Sequence, residues 1–227
     1  MISNPQKTGS LPQVYSENSI KIDLALTPAE KKEIYRFRYQ VYIEEMAKHV
    51  KEADYSHRLL FDDMDDWALL LSAKTGSTLI GTARINIGQL LDFPSEVREY
   101  LSLNTFQAYY SQHYNPQFCF ITKIMVAPAF RSSPVFYLLM AKCYELCCRN
   151  QIQFVFGICN YHLIRLYEKM GLHRYGKNFA LPGYGLQVPI VLLVNDIPHL
   201  RAVRSPLFRI ARKIGSVDTQ PARSEER

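Results

Sequence analysis

The run Asp62-Asp63-Met64-Asp65-Asp66 sets Asp62 and Asp65 three positions apart, directly ahead of an apolar stretch. A carboxylate pair of this kind can take a proton or hold an ammonium group, provided that nearby cations relieve the mutual repulsion. In a loop the same pair serves equally well as a solvated or ion-paired surface feature. A second stretch, "VAPAFRSSPVF" at 126–136, joins the apolar run "FCFITKIMV" to the helix-like run "FYLLMAKCYELCCRN". A strand, a short turn and a helix N-terminus expose amides that lack internal partners, which suits an anion. Glycines ordinarily let such a turn wrap a diphosphate. Here Pro134 removes a donor and Phe136 adds bulk, so Arg131, Ser132 and Ser133 are left to touch a smaller anion.

Composition narrows the class of protein. The chain has 227 residues, 48% of them hydrophobic, enough for one substantial core or two small ones sharing a sheet. No apolar run reaches the length of a membrane span, and the N-terminus shows no apolar signal-peptide core. The five cysteines, Cys119, Cys143, Cys147, Cys148 and Cys159, form no Cys-x-x-Cys pair and are odd in number. They read as core thiols of a reduced, cytoplasmic protein, and no metal site is expected. A net charge of +6 favours anionic partners. With no nucleic-acid motif and no interleaving of arginine with aromatics, nucleic acid is not expected among them.

The elements that must position these residues follow from local patterns. Residues 1–18 read as a mobile polar leader. A strand over 20–26 precedes Thr27-Pro28-Ala29-Glu30, which combines a cap, a first-turn proline and a capping-box glutamate before a helix through "KKEIYRFRYQVYIEEM". Strands at 67–73 and 79–87 flank the turn "KTGS". Residues 89–115 read as helical pieces, and the stretch 106–120 is dense in aromatics, fit for core packing or for lining an apolar tunnel. A strand at 118–126, a helix at 134–149, a strand at 153–159 and a helix at 160–171 closed by Gly171 come next. "LHRYG" and a strand at 186–194 finish the sheet. The expected architecture is α/β (α+β): a single mixed, mostly antiparallel twisted sheet with helices on both faces. Crossover helices after two consecutive strands predict parallel neighbours there. The expected organisation is a leader at 1–18, one domain at 19–196 and a basic extension at 197–227.

Certain of these residues resemble a known superfamily. "NYHLIRLYEKMGLHRYG" is similar to the late motif of the GNAT acyltransferases, with Asn160, Leu166, Tyr167, Glu168, Lys169, Gly171 and Leu172 in register. Val126, Pro128 and Arg131 resemble the superfamily's donor motif, although the glycines that follow the arginine are missing. In the N-terminal half, Arg38, Val41 and Tyr42, then Asp62 and Asp65, then Gly81 and Arg84 resemble the acyl-homoserine-lactone synthases and the long-chain N-acyl amino acid synthases. The lactone synthases carry a Glu-x-Ser-Arg run where this chain has Phe120-Ile121-Thr122-Lys123. The glutamate that helps hold S-adenosylmethionine in those enzymes is absent, which argues against a lactone product.

The resemblance, over roughly 20–195, implies an N-acyltransferase. It would move a long-chain fatty acyl group from an acyl carrier protein thioester to the amine of an amino acid or similar small molecule. It implies acyl-phosphopantetheine, on carrier protein or coenzyme A, as co-substrate, with no tightly bound cofactor. Donor binding falls to Lys123, Ile124, Met125 and Val126 at the strand end, to Arg131, Ser132 and Ser133 in the turn, and to Asn160. The amide of Val126 would face the thioester oxygen, and Tyr167 would protonate the departing thiolate. Asp62 and Asp65 are expected to be catalytic or to shape the acceptor side with Arg38 and Arg84, and Glu44 and Glu45 are further candidate bases. Lys123 or Arg84 would meet an acceptor carboxylate. Two other readings stay open: an acetyl-coenzyme A-dependent N-acetyltransferase of a small amine, and a non-catalytic GNAT-like module that binds carrier protein. The segment 197–215 carries Arg201, Arg204, Arg209, Arg212 and Lys213 without an acid. It reads as a short basic amphipathic helix, fit to dock a carrier protein or the inner face of a membrane.

Overall fold

The computed structural model describes residues 19–110 and 117–217. The expected leader, residues 111–116 of the aromatic stretch and the end of the basic extension lie outside the described residues. The chain begins with β1 (Ile20–Leu24) and α1 (Pro28–Tyr39). The capping box forms as the sequence dictates: the Thr27 hydroxyl accepts from the Glu30 amide at 3.2 Å, and the Glu30 carboxylate accepts from the Thr27 amide at 2.8 Å. Beyond Tyr39 the helix widens into a π-helical stretch, Gln40–Glu45, where an uninterrupted α-helix was expected.

A small ribbon, β2 (Ala53–Asp54) with β3 (Leu59–Leu60), leads to the hairpin of β4 (Leu69–Thr75) and β5 (Thr78–Gly88). Two short helices, α2 (Ser95–Tyr100) and α3 (Leu103–Tyr110), precede β6 (Phe118–Val126). Then come α4 (Val135–Arg149), β7 (Phe154–Asn160), α5 (Ile164–Met170), β8 (His173–Arg174), β9 (Phe179–Leu181) and β10 (Gly185–Leu193). Two helices, α6 (Ile197–Ala202) and α7 (Leu207–Val217), complete the described chain.

The main sheet has the order β1-β4-β5-β6-β7-β10-β8, with β9 paired to β10. Every pairing is antiparallel except β6 with β7, which the α4 crossover joins in parallel. The second expected parallel pair does not form. After α5 the chain adds only the short β8, and β10 lies antiparallel between β7 and β8. β10 occupies the β7 edge over seven residue pairs, whereas its pairing with β8 covers two.

Alternation along the strands divides the core. One sheet face carries Leu71, Ala83, Ile85, Cys119, Ile121, Val155 and Ile190 against α4, α5, α6 and α7. The thiols of Cys119, Cys143 and Cys147 sit fully buried at this interface, and burial pushes those of Cys119 and Cys143 up, away from reactivity. The other face sets Phe118, Phe120, Phe154 and Phe156 against α2 and α3, and Leu70 against Ile34 of α1. The start of α4 lies tight on β5 at Gly81, where an added Cβ would come within 2.7 Å of Val135 Cγ1. That close approach holds the turn before α4 against the end of β6.

Candidate active site

The parallel pair opens into a cleft. β6 and β7 are in register from Phe118 with Phe154 to Ile121 with Gly157, and no pair follows. On their outer sides both strands continue, β6 with β5 as far as Val126 and β7 with β10 as far as Asn160. The inner edges beyond Ile121 and Gly157 therefore face each other across a gap, with backbone groups unpaired between strands. The Ala127 amide bonds to the Ile80 carbonyl at 2.9 Å, toward β5. Strand alternation then turns the peptide groups of Val126 the other way, into the gap.

A bulge sits at the point of divergence. Lys123 and Ile124 together oppose Ala83, since Thr82 pairs with Met125 whereas Arg84 pairs with Thr122. Lys123 takes φ +49°, in the left-handed region that a side chain with a Cβ rarely occupies. The bulge swings its ammonium to the second sheet face, where Nζ lies 3.1 Å from Asp62 Oδ2.

That contact belongs to a buried ionic cluster. β5 presents Ala83 and Ile85 to α4 and, on the opposite face, Thr82, Arg84 and Asn86, each at most 3% exposed. The Arg84 guanidinium bonds to Asp62, lies 3.2 Å from Asp65 Oδ2 and donates to the Thr122 hydroxyl at 3.0 Å. Arg38, on the buried side of α1, donates to Asp65 Oδ1 at 2.8 Å, and its Nε and Nη2 have no hydrogen-bond partner among the described residues. Asp62 and Asp65 cap the short turn between them. The Asp62 amide bonds to Asp65 Oδ2, and the Met64 amide bonds to Asp62 Oδ1, both at 3.0 Å. The sequence expectation that Arg38 and Arg84 gather round Asp62 and Asp65 thus matches the placement of all four side chains.

The two carboxylates differ in access. Asp65 is 1% exposed and held between two guanidiniums, whereas the Asp62 side chain keeps a quarter of its surface open. Burial raises the Asp62 pKa, but Arg84 and Lys123 outweigh it and bring the carboxyl down to about 2. Burial, and then Arg84, push the Lys123 ammonium below its ordinary value, with Asp62 opposing them. Arg38, Arg84 and Lys123 against Asp62 and Asp65 leave one positive charge in excess.

An aromatic wall joins this cluster to the far side of the cleft. The ring of Tyr184 lies 5.6 Å from that of Tyr42, and Lys48 and Lys123 sit over it at 5.4 and 5.8 Å. Tyr184 follows the Leu181–Tyr184 turn, whose Gly183 has φ +76° and presses against the His49 carbonyl, where an added Cβ would come within 2.5 Å. Tyr167 on α5 is buried, with its ring edge-on to Phe136 at 5.4 Å. Burial first, then the neighbouring Cys159 and Tyr42, push its hydroxyl well above the usual phenol value, so it keeps its proton. At the end of β7, Asn160 Oδ1 accepts from Gln187 Nε2 at 3.0 Å.

The turn before α4 is largely engaged in its own structure. The Ser133 hydroxyl donates to the Phe130 carbonyl at 2.6 Å and accepts from the Val135 amide at 3.4 Å, so its bonds stay within the turn. Arg131 donates to Glu45 Oε1 at 2.7 Å and, from Nε, to the Val126 carbonyl at 3.3 Å, tying the π-helical stretch to the strand end. Ser132 is exposed. Glu45 is therefore the partner of Arg131, and Glu44 pairs with Arg58 at the surface.

The mixed sheet, split between β6 and β7, has the GNAT fold. A family model described as N-acyl amino acid synthase FeeM matches residues 33–196, and the chain belongs to that family of N-acyltransferases. FeeM itself, an N-acyl amino acid synthase from uncultured soil microbes, superposes with a TM-score of 0.65 at 13% identity, over 84% of this chain and 97% of that one. BjaI, a CoA-dependent acyl-homoserine lactone synthase with SAM and isopentyl-CoA, gives 0.59 at 17% identity, over 83% and 90%. A putative N-acetyltransferase from Lactobacillus plantarum gives 0.55 at 16%, over 78% and 99%. These likenesses show the shared fold. No curated protein matches the chain.

Sequence reasoning missed Thr122, Asn86, Tyr184 and Lys48, and did not pair Glu45 with Arg131. The alternation in "TARINI" held the signal for Asn86, but it reads as a polar face toward solvent unless the cover on that face is known. Pro182-Gly183 marks a turn, and only the tertiary fold shows that the turn delivers Tyr184 to the cleft.

Proposed function

We propose that the chain moves a long-chain acyl group from an acyl carrier protein thioester to the amine of an acceptor that carries a carboxylate, an amino acid in the simplest case. The observation behind the acceptor is the charge count of the buried cluster. One cation in excess, next to the accessible Asp62, suits a substrate with one anionic and one ammonium group. Asp62 holds the ammonium; at a pKa of about 2 it is too weak a base to remove that proton near neutral pH. Lys123 and Arg84 meet the carboxylate.

The thioester arm lies in the gap between β6 and β7 as an added strand, and the Val126 amide receives the oxygen that becomes negative as nitrogen attacks. The ammonium first gives one proton to water, and the neutral amine attacks. The C–N bond forms, the C–S bond then breaks, the leaving thiolate takes the proton that Tyr167 has kept, and the surplus proton on nitrogen returns through solvent to the Tyr167 oxygen. A carrier protein donor fits the turn better than coenzyme A does. Pro134 lacks an amide N–H, the Ser133 hydroxyl is spent on the Phe130 carbonyl, and Arg131 is held by Glu45, which leaves little to wrap a diphosphate. Resemblance to a CoA-dependent synthase supports coenzyme A as the second reading.

The test is mass spectrometry of lipid extracts from cells expressing the chain, followed by turnover of the purified protein with matched acyl-carrier protein and acyl-coenzyme A. Fatty amides of free amino acids, and a higher kcat/KM with the carrier, are expected. Acylated amines that lack a carboxylate would overturn the acceptor assignment. Equal or better use of acyl-coenzyme A would overturn the donor assignment.

A further inference from the structure

A groove of about 880 Å³ lies away from the cleft, between α6 and α7, lined by Ile197, Pro198, Ala202 and Phe208 with Arg201 and Arg212. This part of the chain begins immediately after the segment that matches the family model. Its attachment is apolar: Leu200, Leu207 and Ala211 are buried in the core under the first sheet face. Ser205 fixes the corner between the two helices, donating to the Met170 carbonyl at 2.7 Å and accepting from the Leu207 amide. The outward side is basic. Arg201, Arg204, Arg209 and Arg212 are exposed, none has a carboxylate partner among the described residues, and no Asp or Glu occurs from 197 to 217. Between the cations the surface is apolar, with Val203 36% exposed and Phe208 half-buried beneath the Arg212 guanidinium.

We infer that the α6–α7 face docks the protein on an anionic lipid bilayer. The occupant follows from the combination of charge and apolar surface. A row of cations alone would serve any polyanion, but cations set around an apolar floor suit a surface with phosphates outside and hydrocarbon just beneath. Position weighs against the rival use of this face as the dock for a donor protein. α6 begins just after β10 ends opposite Phe154, at the start of β7, whereas the cleft opens beyond Gly157 toward Asn160, the other end of that strand and six residues from Phe154. At about 3.3 Å per residue this is roughly 20 Å. A protein carrying a tethered acyl group would have to dock at the wrong end of the sheet. A membrane bound there leaves the cleft open to a donor and stands independently of the substrate reading above.

The experiment is flotation of the full chain with vesicles of phosphatidylcholine, alone or with one-third phosphatidylglycerol. Wild type is expected to float with the anionic vesicles at low salt, not with the neutral ones, and to be released as salt rises. The variant carrying Arg201→Glu and Arg212→Glu loses two attractive charges and gains two repulsive ones. It is expected to bind more than tenfold more weakly, with an unchanged melting temperature and unchanged kcat on a soluble donor. Wild type that fails to float with anionic vesicles, or a variant that floats as well as wild type, overturns the inference. A raised KM for acyl-carrier protein in the variant, with vesicle binding intact, would make the face a donor dock and overturns it too.

Discussion

The two sides of the cleft are built from different materials. The proposed donor side is main chain: two strand edges that part after Ile121 and Gly157, and a turn whose side chains mostly serve the turn itself. The proposed acceptor side is side chain: charges drawn from α1, the Asp62–Asp65 turn, β5 and the β6 bulge, paired with one another but with one cation in excess. A wall of peptide groups tolerates many side-chain changes, because the hydrogen-bonding groups persist whatever residue carries them. A buried ionic cluster tolerates few, because loss of one partner leaves the others charged and dry.

Substitutions on the two sides should separate accordingly. The largest effect is expected at Arg84→Ala, which strips Asp62 and Asp65 of their shared cation. A loss of about 3–5 kcal/mol of stability, read by denaturant unfolding, together with loss of turnover, is expected; an unchanged melting temperature would mean that the cluster contributes nothing to the fold. Tyr167→Phe removes only a hydroxyl from a ring packed on Phe136, so kcat should fall about a hundredfold with folding preserved. Wild-type turnover would take Tyr167 out of the chemistry.

The Asp62 carboxylate sharpens the comparison through pH. Its folded pKa, about 2, lies below the ordinary value of 3.8, so its stabilisation is fully present above that ordinary value and is lost as pH falls through 2. Asp62→Asn should therefore cost about 2 kcal/mol near neutral pH, and the gap between variant and wild type should close in acid unfolding between pH 4 and 2. The smallest effect is expected at Glu45→Gln. The pair that it breaks with Arg131 is partly exposed, and such pairs are worth about 0–1 kcal/mol. A melting temperature that drops as far as that of Arg84→Ala would erase the distinction between the two sides.

The sequence showed these two sides unequally. Local chemistry announced the cap at Thr27, the β4–β5 hairpin, the whole of β6 and the glycine that ends α5 at φ +99°. Resemblance brought Arg38, Asp62, Asp65 and Arg84 together before any coordinates did. Two-residue strands such as β2, β3 and β8 have no period to read, and β9 is hardly longer. The π-helical stretch, the Lys123 bulge and the Glu45–Arg131 pair depend on contacts between segments far apart in the chain, which no local pattern encodes. The polar alternation of β5 is ambiguous for the same reason, since burial of both faces is a property of the assembled sheet.

The Arg38–Asp65–Arg84 arrangement also bears on the order in which the chain assembles. Arg38 and Asp65 stand 27 positions apart, and Arg84 approaches them only when α1 has been laid across β5. Until then each charge keeps its water, and a half-built cluster would have lost hydration without gaining its partners. The cluster is therefore expected to close after the folding barrier, so that Arg84→Ala speeds unfolding in stopped-flow traces and leaves the folding rate nearly unchanged. Interactions that form so late leave the rate of folding almost untouched and slow the rate of escape from the native state. On that expectation, the charges of this cluster also set how long an individual molecule stays folded.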